Sequence, residues 1–161
     1  MKIDNKIRSR AQFLSRVVAK ERDHLIITDQ RLFSLPFDID RVKQMDADID
    51  LAESVEAFVG RFGRLQDTLG DKILPVLLSI LGENSSSFID NLDLAERLGF
   101  ISSTDEWMSI RNLRNQMVHE YIEDPLILSS ALQSGHKFVG TLELVANNIL
   151  NEIKQRLGRE S

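Results

Sequence analysis

The stretch from Trp107 to Tyr121 contains two residue types that together could act on a phosphate group. Arg114 and His119 stand there with four residues between them. Arginine carries a permanent planar charge that can bind a phosphate through two hydrogen bonds. Histidine exchanges protons near neutral pH, which is what a general acid or base requires. The pair therefore indicates phosphate chemistry.

The same stretch is expected to form a single helix. Ser103 followed three residues later by Glu106 is a capping-box pattern, and neither glycine nor proline interrupts the chain before Pro125. At about 100° per residue, one side of this helix collects large apolar side chains. Those residues are Trp107, Ile110, Leu113, Met117 and Val118.

Arg114 and Tyr121 fall within that apolar arc, whereas His119 lies about 140° away from Arg114 around the helix axis. A buried arginine without a partner would cost several kcal/mol. Arg114 is therefore either paired with an Asp or Glu of a neighbouring helix or open to a cleft where it binds phosphate. One helix cannot easily direct both Arg114 and His119 at one phosphate, whereas two related helices, or fraying of the helix near His119, could.

The pattern of Arg114, four residues, His119, one residue and Tyr121 resembles the Arg-x4-His-x-Tyr motif of HEPN-domain proteins of the HepT type. Asn115 matches the polar residue that this family prefers directly after the arginine. The resemblance in helix pattern covers most of residues 40 to 157, although only about ten residues match as a motif.

The resemblance implies a metal-independent endoribonuclease, the toxin of a type VII-like toxin–antitoxin pair. Two subunits of such a protein pair so that their motifs face each other across one cleft. Arg114 and His119 would be catalytic, with Asn115 orienting either group and Arg111 holding a flanking phosphate. The implied reaction is attack of the RNA 2′-hydroxyl on the adjacent phosphate. The implied partners are RNA, a second copy of the chain and an MNT-type nucleotidyltransferase antitoxin.

Tyr121 has two interpretations. It is either an amphipathic residue that completes the core arc or the site where the antitoxin attaches AMP, as in the family that the motif resembles. An AMP group would place negative charge and bulk beside Arg114 and so block an RNA phosphate.

A rival interpretation is a binding module without catalysis. Relatives in this fold have been interpreted as the substrate-binding or scaffold subunit of a two-chain nucleotidyltransferase, and an acidic surface suits such docking. A structural helical dimer with Arg114 merely ion-paired is a third alternative. Growth arrest on expression of the chain alone, and a neighbouring nucleotidyltransferase gene, would distinguish these alternatives.

Composition limits the other classes. The 161 residues predict one domain over 1–161, and no apolar run approaches the roughly 20 residues of a membrane span. The chain has no cysteine, and His24, His119 and His136 stand at unrelated spacings, so neither a metal nor another cofactor is expected. With no signal-peptide pattern, the cytoplasm is the expected location.

The net charge of −5 argues against a general nucleic-acid binder but allows a small basic cleft. Arg61, Arg64 and Lys72 form one basic cluster in the sequence, and Arg111 with Arg114 forms another. Residues 2–22 are also basic, and their charges are either a solvated helix face or an arm that binds RNA.

The hydrophobic pattern predicts an all-α, antiparallel up-and-down bundle of four to six helices. Residues 1–38 form an N-terminal extension and 40–157 the bundle core. Helices are expected over residues 5–22, 40–69, 72–78 and 88–98, then the motif helix, then a long helix from Pro125 to about Leu157. Gly99 is expected to cap the end of the 88–98 helix, and Asp124 the start of the last helix. Residues 24–35 form either a short β-hairpin or irregular coil, and residues 82–87 a loop. Gly60 and Gly63 mark a close approach of another helix or a second chain.

Overall fold

The computed structural model describes residues 2–83, 86–119 and 123–159. Its α-helices, in chain order, are α1 (Asn5–Leu32), α2 (Ile39–Gln44), α3 (Ile49–Asp67), α4 (Leu74–Ile80), α5 (Phe88–Leu98), α6 (Thr104–His119) and α7 (Pro125–Gly158). A π-helical segment, Thr68–Ile73, joins α3 to α4 without a break. The all-α fold expected from the sequence is confirmed, and none of the described residues forms a strand.

Neighbouring long helices run in opposite directions. Glu21 of α1 accepts a hydrogen bond from Thr68, whereas the later α1 residue Thr28 accepts one from the earlier Arg61 of α3. The order of contacts is reversed along the two helices, so they are antiparallel, as in an up-and-down bundle. The same reversal holds for α1 with α7 (Arg8–Leu157, Asp29–His136) and for α3 or the π-helical segment with α6 (Gly63–Arg114, Gly70–Trp107).

The buried apolar side chains form one cluster to which every α-helix contributes. Helix α1 supplies several of them, including Ala11, Leu14, Val18 and Leu25, each at most 2% exposed. The N-terminal region that the sequence marked as an extension therefore packs into the same core as residues 40–157.

The short β-hairpin considered for residues 24–35 does not form, because α1 continues ten residues beyond its expected end at residue 22. The β-branched residues Ile26 to Thr28 favour strands locally, but such preferences are weak against tertiary packing. Leu25 and Leu32, one face of the extended helix, are 1% and 3% exposed. Burial of that face against the bundle stabilises the helical conformation of this segment.

The helix expected over residues 40–69 is divided into α2 and α3. Asp48 caps the start of α3, and its carboxylate accepts a hydrogen bond from the Leu51 backbone N–H at 3.0 Å. The helix expected over 72–78 is the continuation of α3 through the π-helical segment into α4. Pro75 has no N–H for an ordinary helical hydrogen bond, and it stands in the first turn of α4 directly after the wider turn.

Local signals elsewhere placed the helix ends correctly. Gly99 ends α5 in the left-handed conformation, with φ 86°. Asp124 caps α7, whose first residue is Pro125. In the described part of the chain, no helix combines the length and the apolar content needed to cross a bilayer.

Candidate functional site

The start of α6 is fixed by its cap and by α5. Ser103 Oγ accepts a hydrogen bond from the Glu106 backbone N–H at 2.9 Å, so the expected cap is present. Thr104 donates to two α5 carboxylates, from its backbone N–H to Glu96 and from its hydroxyl to Asp93, both at 2.7 Å. These contacts set the position from which α6 projects its later side chains.

The buried face of α6 holds the helix against the bundle. Trp107, Ile110, Leu113 and Met117 are all buried, as the apolar arc predicts. Val118 was assigned to the same arc but is 49% exposed. It lies at the edge of the arc, where α6 approaches its last residue, His119.

Arg114 crosses the surface of α3 at Gly63. A Cβ atom placed on Gly63 would lie only 3.0 Å from Nε and 3.2 Å from Cγ of Arg114. The missing side chain lets the arginine lie close against the α3 backbone. The expected close approach at Gly63 is thus made by another helix of the same chain. The approach expected at Gly60 differs, because the atoms nearest to a Cβ placed there belong to Arg64 of the same helix, whose Nη1 lies at 3.5 Å.

Asp67, one turn beyond Gly63, binds the end of the Arg114 side chain. Arg114 Nη2 donates to Asp67 Oδ2 at 3.2 Å. The two side chains are 34% and 35% exposed, so the pair lies at the surface of the α3–α6 contact. Arg114 therefore has the carboxylate partner that an arginine in an apolar arc requires, and it remains accessible to a ligand.

A second pair of charges extends this site along the π-helical segment. Desolvation raises the pKa of the Asp71 carboxyl, and the charge of Arg111 opposes that rise most strongly. Asp67 raises the same pKa further and Arg114 lowers it. The guanidinium of Arg111 also lies over the ring of Phe88, 4.5 Å from its centroid. Asp67, Asp71, Arg111 and Arg114 thus form one charge cluster, which we call the α3–α6 cluster.

The remaining predicted site residues are His119, Asn115 and Tyr121. His119 is the last residue of α6 and is exposed, and Asn115 is exposed as well. Arg114 is directed at α3, and His119 lies about 140° from it around the α6 axis. The structure therefore brings Arg111 and Arg114 together, with His119 on another side of the helix. Tyr121 lies outside the described residues.

The members of the predicted basic cluster, Arg61, Arg64 and Lys72, have different partners in the fold. Arg61 donates to Thr28 Oγ1 and, at 3.4 Å, to the backbone carbonyl of His24, so it ties α3 to α1. Arg64 and Lys72 both lower the pKa of the Glu21 carboxyl. Lys72 also lowers the pKa of Asp71, so its charge acts on the α3–α6 cluster as well.

Glu21 carries a further perturbed carboxyl. Burial raises its pKa, and a hydrogen bond from Thr68 at 2.8 Å opposes the rise, as do the charges of Arg64 and Lys72. Since the folded-state pKa lies above the ordinary value, the folded protein binds a proton that the unfolded chain releases. This group's contribution to the free energy of unfolding therefore falls as pH rises through the window just above 4.5.

The variant Glu21→Gln tests that sign. The amide keeps an acceptor for Thr68 and removes the half-buried charge, so the variant is expected to gain stability relative to the parent between pH 4 and pH 7. The measurement is the difference in Tm between the two proteins at each pH. Glu56→Gln, at an exposed position on α3, is the control. A Tm difference for Glu21→Gln that is the same at both pH values would contradict the argument.

The two acidic members of the α3–α6 cluster were not foreseen from the sequence. Gly63 and Asp67 are four residues apart and so share one face of α3, but nothing in the sequence states that α6 packs against this face. Among the described residues, no group of three or more His, Cys, Asp or Glu side chains has a geometry that could hold a metal ion. The chain matches no protein-family model, no curated protein and no solved structure.

Proposed function

We propose that the protein is a metal-independent endoribonuclease that acts as a homodimer in the cytoplasm. The observation that carries the proposal is that Arg114 is ion-paired yet one-third exposed, on the same helix as an exposed histidine at the Arg-x4-His spacing. Two copies of α6 would supply Arg114 and His119 from different subunits to one phosphate.

In this mechanism RNA supplies its own nucleophile. His119 of one subunit removes the proton from the 2′-hydroxyl, whose oxygen then forms a bond to phosphorus. Arg114 stabilises the charge that accumulates on the phosphate oxygens, and Arg111 holds a flanking phosphate, while Asn115 orients the reacting groups. The bond from phosphorus to the 5′-oxygen breaks, and that oxygen takes up the proton carried by the His119 imidazolium. The products are a 2′,3′-cyclic phosphate and a 5′-hydroxyl.

A mixing experiment tests the composite site. The parent protein is expected to cleave RNA also in a buffer that contains EDTA. Arg114→Ala and His119→Ala chains are each expected to lose nearly all of this activity. When the two are mixed and allowed to exchange subunits, a mixed dimer has one site with both groups intact. Activity should then return to a fraction of the parental value. Activity that does not return, although mixed dimers are demonstrated by a tag on one chain, would contradict a site shared between subunits.

Asp67 has a defined part in this proposal, because its carboxylate occupies Arg114 before RNA binds. An RNA phosphate must displace it, so the neutral variant Asp67→Asn is expected to lower KM for RNA about severalfold with little change in kcat. The loss of a pair this exposed should change the free energy of unfolding by less than about 1 kcal/mol. Initial rates over a range of RNA concentrations and a thermal melt measure both. A raised KM would show that Asp67 supports binding instead.

Control of the activity is a further part of the proposal. A nucleotidyltransferase antitoxin of the MNT type would attach AMP to Tyr121, two residues beyond His119, and block access of RNA to Arg114. Mass spectrometry of the chain expressed with such an enzyme should show an added adenylyl group on Tyr121 in inactive protein. An inactive preparation in which Tyr121 is unmodified would contradict this part.

The second candidate is a non-catalytic subunit that docks a nucleotidyltransferase. The ion pair of Arg114 with Asp67 inside one chain favours it, because that pair already satisfies the arginine without RNA. For this candidate, Arg114→Ala is expected to weaken binding of the partner chain, with no RNA cleavage by the parent protein. Cleavage by purified parent protein excludes it.

A further inference from the structure

A pocket of about 510 Å³ lies between the end of α1, α2 and α3. Three arginines from these three elements line it, namely Arg31, Arg41 and Arg61. Among the described residues, none of the three forms an ion pair with a carboxylate. The three guanidinium groups therefore share one concave site without a direct ion-pair partner.

Two of the arginines are held in place by other parts of the fold. Arg41 Nη1 donates to the backbone carbonyls of Leu32 and Leu35, at 2.6 and 2.8 Å, and its guanidinium lies 4.6 Å from the ring centroid of Phe37. Arg61 Nη1 donates to Thr28 and His24 at the end of α1.

These hydrogen bonds use one nitrogen of each group, so the other nitrogens can donate to a ligand. Arginines fixed in this way lose little conformational entropy when they bind an anion.

Side chains that accept hydrogen bonds line the same pocket. They are Asp50, Glu53 and Ser54, which belong to the first turns of α3 and are exposed. Carboxylates accept hydrogen bonds from hydroxyl or amino groups but repel an anion. A ligand with both an anionic group and hydroxyl groups would therefore match both the arginines and the carboxylates. The volume lies within the range of ordinary small-molecule sites.

We infer that this pocket, lined by Arg31, Arg41 and Arg61 and by the carboxylates of Asp50 and Glu53, binds a small phosphate ester that also carries hydroxyl groups. The phosphate lies against the arginines, which recognise it through paired N–H donors. The hydroxyl groups donate to the carboxylates of α3. None of these residues belongs to the α3–α6 cluster, so binding here is independent of any nuclease activity.

Calorimetric titration of the full chain tests the inference with three probes: ribose 5-phosphate, inorganic phosphate and ribose. Ribose 5-phosphate is expected to bind most tightly, inorganic phosphate more weakly, and ribose not detectably. Arg31 is exposed and makes no contact on which the fold depends, so Arg31→Ala should remain folded. This variant is expected to bind each of the two phosphate-bearing probes about tenfold more weakly.

Two further variants test the contributions of the carboxylates and of the arginines separately. Glu53→Gln should weaken ribose 5-phosphate while binding of inorganic phosphate stays the same or tightens. Arg61→Lys keeps a donor for Thr28 and should weaken the binding of both phosphate-bearing probes. Arg97→Ala, an exposed arginine on α5, is the matched control and should change none of the affinities.

Absence of saturable binding of ribose 5-phosphate to the parent protein would overturn the inference. Equal binding to the parent and to Arg31→Ala would do the same. Tight binding of a single-stranded RNA oligonucleotide that Arg31→Ala weakens, without binding of ribose 5-phosphate, would identify the pocket as part of an RNA surface and would likewise overturn it.

Discussion

Arg114→Ala is expected to reduce RNA cleavage by about a hundredfold or more, and His119→Ala by about 10² to 10⁴. Removal of the guanidinium leaves the charge on the reacting phosphate without its main stabilising group. Removal of the imidazole leaves no group to transfer protons between the 2′-hydroxyl and the 5′-oxygen. Both effects should be found in kcat, measured with excess RNA of one defined sequence.

The control for these variants is the fold itself. His119 is exposed, so the melt of His119→Ala should lie near that of the parent. Arg114→Ala also loses the contact with Gly63 and the partly exposed ion pair with Asp67, so its melt should lie slightly lower. Arg97→Ala removes the same charge elsewhere and should leave cleavage unchanged. Parental cleavage rates in Arg114→Ala or His119→Ala would refute the nuclease assignment. A large loss of stability in Arg114→Ala would show that the arginine is chiefly structural.

Gly70→Ala is expected to destabilise the protein by about 1 to 3 kcal/mol through overpacking. A Cβ atom on Gly70 would lie 2.9 Å from Nε1 of Trp107 and 3.3 Å from the ring of Phe88. Trp107 is 2% exposed, and its rigid indole cannot turn aside as a flexible chain could. The indole also anchors α6, so the same substitution should displace Arg111 and Arg114. Denaturant unfolding and the emission spectrum of the single tryptophan measure both effects.

Gly140→Ala is the matched control. Gly140 lies within α7, is exposed, and a Cβ atom there would have no neighbour within 4 Å. Alanine has the higher helix propensity, so this variant should be more stable than the parent by up to about 1 kcal/mol. If Gly70→Ala were stabilising to the same extent, the packing of the π-helical segment against Trp107 would differ from that described.

Helix ends were predictable because their signals are local. Gly99, Asp124 and Ser103 each act within one turn of their own position, through a left-handed backbone or a side-chain cap. The same local reasoning failed at Ile26 and Ile27, which favour a strand by type. The contacts that decide their conformation are made by Leu25 and Leu32 with distant parts of the bundle.

The α6 residues of the candidate site were predictable from the sequence, whereas their partners on α3 and the π-helical segment were not. The arc around α6 showed that Arg114 required a partner, and the motif spacing singled out His119. That the partner is Asp67, reached across Gly63, depends on which faces of α3 and α6 meet. The π-helical segment, which places Asp71 near Arg111, depends on packing around Trp107 and on Pro75, and no residue pattern in the sequence signals it.

The wider turn at Thr68–Ile73 also sets a rule for length variation in this chain. Within an ordinary helix, loss of one residue rotates everything that follows by about 100°. A π-helical turn holds one residue more than an α-helical turn, so loss of one residue there would return the segment to ordinary helical spacing and leave α4 nearly in phase with α3. Leu77 and Leu78, both fully buried, would then keep their places in the bundle. Single-residue deletions should therefore be accommodated between Asp67 and Leu74 and rejected within α3 and α4.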